Sequence, residues 1–194
     1  MAATANGSSS RRFVTAGLLL GVGLGGFVDG IVLHQILQWH HMLTSTDSDN
    51  LGLRDYPATT VEGLEVNTLW DGLFHASTWL FVAVGLALLW RAWQQRQAPR
   101  AGRSLAGLLL AGWGLFNLVE GIVDHHLLGI HHVRSGDDQL LFDLGFLGLG
   151  AALLAGGWAL YRSGLAGAPR AAAHPRSGSG PDPRRPRPPS PGSA

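Results

Sequence analysis

At 194 residues, 46% hydrophobic and only 14% charged, the chain falls well short of the roughly one-quarter charged residues of an ordinary soluble domain and reads as a membrane protein. Its net charge of +1 rests on arginine alone on the basic side, so the placement of charge carries more information than its sum. Cysteine is absent, which excludes disulfides, thiolate metal sites and cysteine nucleophiles.

Residues 1–12 form a short polar lead ending in Arg11 and Arg12. Four apolar stretches follow, at about 13–39, 69–90, 105–128 and 140–161, each near or above the ~20 residues that a helix needs to cross a bilayer. The first is too long for the ~7 to 15 apolar residues of a secretory signal core, and part of it recurs in the third, so it is expected to stay in the protein. Arg96, Arg100 and Arg103 lie between the second and third stretches, and Arg162 and Arg170 follow the fourth. The other two connections are acidic, with Asp47, Asp49, Asp55, Glu62 and Glu65 in one and Asp137 and Asp138 in the other. The excess of arginine predicts both termini on the cytoplasmic side. Residues 163–194 hold eight of the ten prolines amid Arg, Ser and Gly, a composition that cannot bury a core and predicts a disordered cytoplasmic tail.

An internal repeat is the most specific feature of the sequence. Shifted by 91 residues, "FVDGIVLHQILQWHHM" lies over "LVEGIVDHHLLGIHHV" with eight of sixteen positions identical, among them His34 with His125, His40 with His131 and His41 with His132; Asp29 faces Glu120. A fainter match, "NTLWDGLF" over "QLLFDLGF", pairs Asp71 with Asp143. The expected fold is therefore all-α: an integral membrane four-helix bundle built from two parallel repeats of a helical hairpin, related by an axis along the membrane normal.

At about 100° per residue, the acids and histidines of each stretch share one face with several glycines, and the faces are expected to turn inward. Carboxylates in hydrocarbon cost at least ~2.5 to 3.5 kcal/mol each on insertion scales, so intramembrane acids call for partners or a function. The candidate site is Asp29, His34, Asp71, His75, Glu120, Asp124, His125 and Asp143. Asp71 with His75, and Glu120 with Asp124, stand at i and i+4 and can aim two ligands at a common centre. His40, His41, His131 and His132 fall at the membrane surface, where interfacial solvation is the expected role for at least half of them; His34 and His41 are separated by roughly 10 Å of rise on a straight helix, so one ion cannot take both, and two sites or an entry path would be needed. The seven tryptophans read as interface anchors or lipid-facing bulk.

"GFVDGIVLHQILQWHHML", "DGLFHASTW", "NLVEGIVDHHLLGIHHVR" and "FDLGF" resemble a bacterial family of predicted four-helix membrane proteins of unknown function. The resemblance spans roughly residues 12–162 and implies a multi-pass protein of the bacterial inner membrane; it supplies no catalytic residue. Imidazole and carboxylate donors without thiolate suit Zn, Fe or Mn, so the first functional reading is a transition-metal protein, with its being an enzyme left open. Two alternatives stand beside it: a haem-binding electron carrier with His34 and His125 as axial ligands, and a proton or cation pathway. The partner is the lipid bilayer, with a homo-oligomer or membrane-protein partner left open. The arginine runs read as topology signals and not as a nucleic-acid site, and no nucleophile motif or phosphate-binding loop is present.

Overall fold

The computed structural model describes residues 2–45, 54, 56–95 and 102–166, with side chains from residue 11 onward. The described residues form helices and no strand. Helix α1 runs over Ala2–Val28 and continues as a π-helical segment, Asp29–Ile36; α2 is Val61–Gln94; α3 is Gly102–Glu120, continued by the π-helical Gly121–Leu127; α4 is Gln139–Ala166. All four are long and apolar enough to cross a membrane. The expected tail lies almost wholly outside the described residues, as do residues 46–53 and 55 of the first acidic connection.

Helix α2 begins eight residues before the apolar stretch that announces it. Thr60 caps it, its Oγ1 accepting from Gly63 N at 3.1 Å, and Glu62 sits in the first turn, where the exposed N–H groups favour negative charge. Those first two turns carry Glu62, Glu65 and Asn67, so composition concealed a helix that capping makes plain.

Helices α1 and α3 form the central pair, with α2 packed on α1 and α4 on α3. Burial follows that order: 50% and 44% of the central apolar spans are buried, against 17% of each outer one. Lipid cannot drive apolar helices together, so close approach rests on small residues. Gly21 and Gly112 bring the backbones of α1 and α3 into contact: a Cβ on Gly21 would meet Leu109 O and lie 2.7 Å from Gly112 Cα. Gly107 and Gly157, with Gly114 and Gly150, do the same for α3 and α4. A core of Phe13, Ala16, Leu20, Leu89, Leu108 and Tyr161 fills the end near the chain's start. Apart from Ser104, the buried polar groups collect toward the opposite end.

Candidate metal centre

The local backbone decides which side chains meet. In the π-helical segments, Leu37 N donates to Val32 O and Leu128 N to Val123 O, both at 2.8 Å, the i→i+5 pattern of a wider coil. Five residues then make close to one turn, so Asp29 and His34 face the same way, as do Glu120 and His125. Each coil ends on a left-handed residue, Gln38 (φ 49°) and Gly129 (φ 62°), the conformation that commonly stops a helix. Trp39 N then bonds Leu33 O and Ile130 N bonds Asp124 O, both at 3.0 Å. The chain doubles back at that point. The His40 ring centre comes to 4.5 Å from that of His34, and the His131 ring centre to 4.9 Å from that of His125.

Two groups result, each one carboxylate and two imidazoles: Asp29, His34 and His40, and Glu120, His125 and His131. All six residues are buried, and within each group one donor atom from each residue lies within 4.8 Å of the others, close enough to hold a metal ion. The groups adjoin, since the rings of His40 and His131 stack at 4.7 Å and only 3° from parallel.

Proton bookkeeping shows which atoms are available. His40 Nδ1 donates to Val133 O at 2.8 Å and His131 Nδ1 to Met42 O at 3.3 Å; a carbonyl only accepts, so both protons sit on Nδ1 and both Nε2 lone pairs are free. Burial, reinforced by neighbouring imidazoles, holds His40 well below the usual histidine range and pushes His131 down to about 4, favouring the neutral rings that bind metals. His34 Nδ1 bonds Asp71 Oδ1 at 2.9 Å, which leaves Nε2 facing Asp29 Oδ2 at 3.2 Å. Two donor atoms ~2.0–2.1 Å from one tetrahedral ion stand about 3.3 Å apart, so this spacing suits a shared cation. On the other side, His131 Nε2 is 3.7 Å from Glu120 Oε1. Asp29 Oδ2, both Glu120 oxygens and Nε2 of His34, His40, His125 and His131 are buried without a hydrogen-bond partner. Buried polar atoms are rarely left so, and here they converge.

Asp71 and Asp143 support these groups from behind. Asp71 binds His34 Nδ1, His41 Nδ1 (2.6 Å) and Met42 N (3.1 Å); Asp143 binds His132 Nδ1 (2.7 Å) and Val133 N (2.9 Å) and stands 3.4 Å from His125 Nδ1. A carboxylate on the far nitrogen of an imidazole fixes its tautomer and direction, a common arrangement behind metal ligands. Of the eight residues singled out from sequence, Asp29, His34, Glu120 and His125 lie in the two groups, while Asp71 and Asp143 lie directly behind. His75 stands apart, its Nδ1 donating to the backbone oxygen of Asp71 at 2.7 Å and its ring near Phe27 and Phe74, whereas Asp124, half-buried on the second π-helical segment, belongs to neither group but lies close enough to Asp29 and Glu120 for its charge to act on both. The i and i+4 pairs therefore do not converge as the spacing suggested. His40 and His131, which the sequence assigned to the interface, complete the groups.

Residues 16–164 match the family model described as a predicted membrane protein, DUF2243. The chain belongs to the DUF2243 family. No curated protein and no solved structure matches it. The DUF2243 match reaches into all four helices and includes every residue of both groups, so the candidate centre lies wholly inside the family's domain.

Proposed function

We propose that this DUF2243 protein binds two transition-metal ions in the membrane, one in each group of a carboxylate and two histidines. The observation that carries the reading is the convergence of buried, unpartnered donor atoms from Asp29, His34, His40, Glu120, His125 and His131. Nitrogen and oxygen donors without sulfur suit Zn, Fe or Mn, and three protein ligands per ion leave positions for water or substrate. Haem finds no comparable support, because the rings of His40 and His131 stand between His34 and His125, His131 lying 6.1 Å from His34 and His40 6.3 Å from His125. A proton pathway would draw on the same acids and histidines, yet it gives no reason for His40 and His131, each held at Nδ1 by a backbone carbonyl, to turn Nε2 toward a buried carboxylate.

The protein purified in detergent should carry two equivalents of Zn, Fe or Mn by elemental analysis and show no Soret band. Chelation should lower its melting temperature, since a ligand at a hundred times its Kd adds ~2.7 kcal/mol to the folded state. Absence of metal after loading with each of the three ions would sink the reading.

Orientation follows from arginine placement: both termini inside the cell, both acidic connections outside. Ser135 and Gly102 are exposed. In this cysteine-free chain, Ser135→Cys should react with an impermeant thiol reagent on intact cells and Gly102→Cys should not. The opposite pattern would invert the topology and place the metal groups near the cytoplasm.

A further inference from the structure

The internal repeat places Asp29 and Glu120 at corresponding points of the two central helices, and in the fold their carboxylates stand within hydrogen-bonding reach of each other. Two ionised carboxylates have no donor to offer, so such a contact repels unless a proton or a cation lies between them. The protein supplies no donor to Asp29 Oδ2 or to either oxygen of Glu120, all of them buried. Asp124 adds a third negative charge, close enough to act on both acids. Among the described residues, the ion-pair partners of Asp29 and Glu120 are histidines and not arginines. Contacts also cross between the groups. Asp29, of the first, lies near enough to His131, of the second, for its charge to act on that ring. The rings of His40 and His131 stack, and His131 stands 6.1 Å from His34 and His40 6.3 Å from His125.

The geometry points to one dinuclear centre and not two separate sites: His34 and His40 hold one divalent ion, His125 and His131 hold the other, and the carboxylates of Asp29 and Glu120 lie between the ions and are shared by both. This rests on the two-ion reading above and adds that the ions are coupled. Charge balance explains the acids, because two cations close together repel strongly where water is excluded, and the carboxylates between them offset that repulsion. Paired ions with open positions can hold one ligand between them or clamp both ends of a displacement. No member of the two groups is more than 4% exposed, so the shared ligand is a small one, of the size of water, hydroxide or azide.

The test uses the full chain purified in detergent, stripped with a chelator, reloaded with Mn(II), or with Co(II) if Mn(II) is not retained, and read by low-temperature electron paramagnetic resonance. Ions that share a carboxylate are exchange-coupled, so the Mn(II) hyperfine lines should stand at half the spacing of a lone ion and the Co(II) signal should fade on cooling. Azide should alter the coupled spectrum. Asp29→Asn and Glu120→Gln should each weaken both equivalents by about tenfold or more, since loss of a mere supporter already costs ~10 to 100-fold and a shared ligand serves both ions. His34→Ala should keep one ion with the lone-ion spectrum, and His75→Leu should change nothing. Melting curves confirm that each variant is folded. Two equivalents with only the lone-ion spectrum would overturn the shared centre and leave the two-ion reading standing. So would folded Asp29→Asn and Glu120→Gln proteins that each lose one ion or neither while holding the rest at full affinity. A protein that retains none of Zn, Fe, Mn or Co would sink both.

Discussion

His34→Ala should lower bound metal from two equivalents to one. Each proposed ion has three protein ligands, and His34 is the one whose free nitrogen stands 3.2 Å from the neighbouring carboxylate oxygen. Its removal leaves Asp29 and His40 alone in a pocket that also loses ring contacts to Phe74 and His40. Asp71→Asn should act differently. The amide retains an oxygen for the Nδ1–H of His34 but loses the charge behind it, so both ions should bind at excess metal with affinity reduced about 10 to 100-fold, the usual cost of losing such a supporter. His75→Leu should change neither number, because His75 is turned to a backbone oxygen of its own helix. Elemental analysis at limiting and at excess metal separates the three. A folded His34→Ala protein that keeps two equivalents would remove the first group from consideration.

Gly112→Leu should be the most damaging change in the apolar half. A Cβ at Gly112 would collide with the backbone oxygen of Leu18 and stand 2.8 Å from Gly21 Cα, and backbone on both sides cannot move aside as a flexible side chain can. Overpacking commonly costs ~1–3 kcal/mol, and rigid contacts belong at or above the top of that range. Because α1 and α3 carry the two groups, parting them should also loosen metal. Gly148→Ala offers the contrast: nothing lies within 4 Å of its Cβ, and alanine favours a helix by up to ~1 kcal/mol over glycine. Unfolding by sodium dodecyl sulfate in mixed micelles should show a much earlier midpoint for Gly112→Leu and an equal or later one for Gly148→Ala. Equal midpoints would mean that the central pair is not held by this contact.

Much of this was legible in the residues. Charged and imidazole groups inside apolar stretches stand out against their surroundings, and the 91-residue shift pairs Asp29 with Glu120 and His34 with His125 in the sequence alone. The place of His40 and His131 was hidden, because on a straight α-helix a histidine six residues beyond His34 or His125 lies about 9 Å further along. The wider coil from Asp29 and the reversal at Gln38 cancel that separation. One signal was present: Gly129, just after "HHLL", is a residue that commonly ends a helix in the left-handed conformation, and it would have stopped the third helix before His131. Gln38 in the first copy hides the same turn, because glutamine gives no such hint. His75 illustrates the opposite error, since the i and i+4 spacing from Asp71 was real but joined the ring to the aspartate's backbone oxygen and not to a shared centre.

The hydrogen bonds behind His40 and His131 cross between the two halves of the chain. His40 leans on the carbonyl of Val133, and His131 on that of Met42, so each half lends the other the backbone that steadies its ring. Neither hairpin is self-sufficient. Split at the 96–101 connection and expressed as separate pieces, one hairpin alone would hold its carboxylate and inner histidine but leave the outer histidine unbraced, whereas the two pieces produced together would restore both braces. The two hairpins thus come as an indivisible pair, neither able to shed its neighbour without disarming its own outer ring.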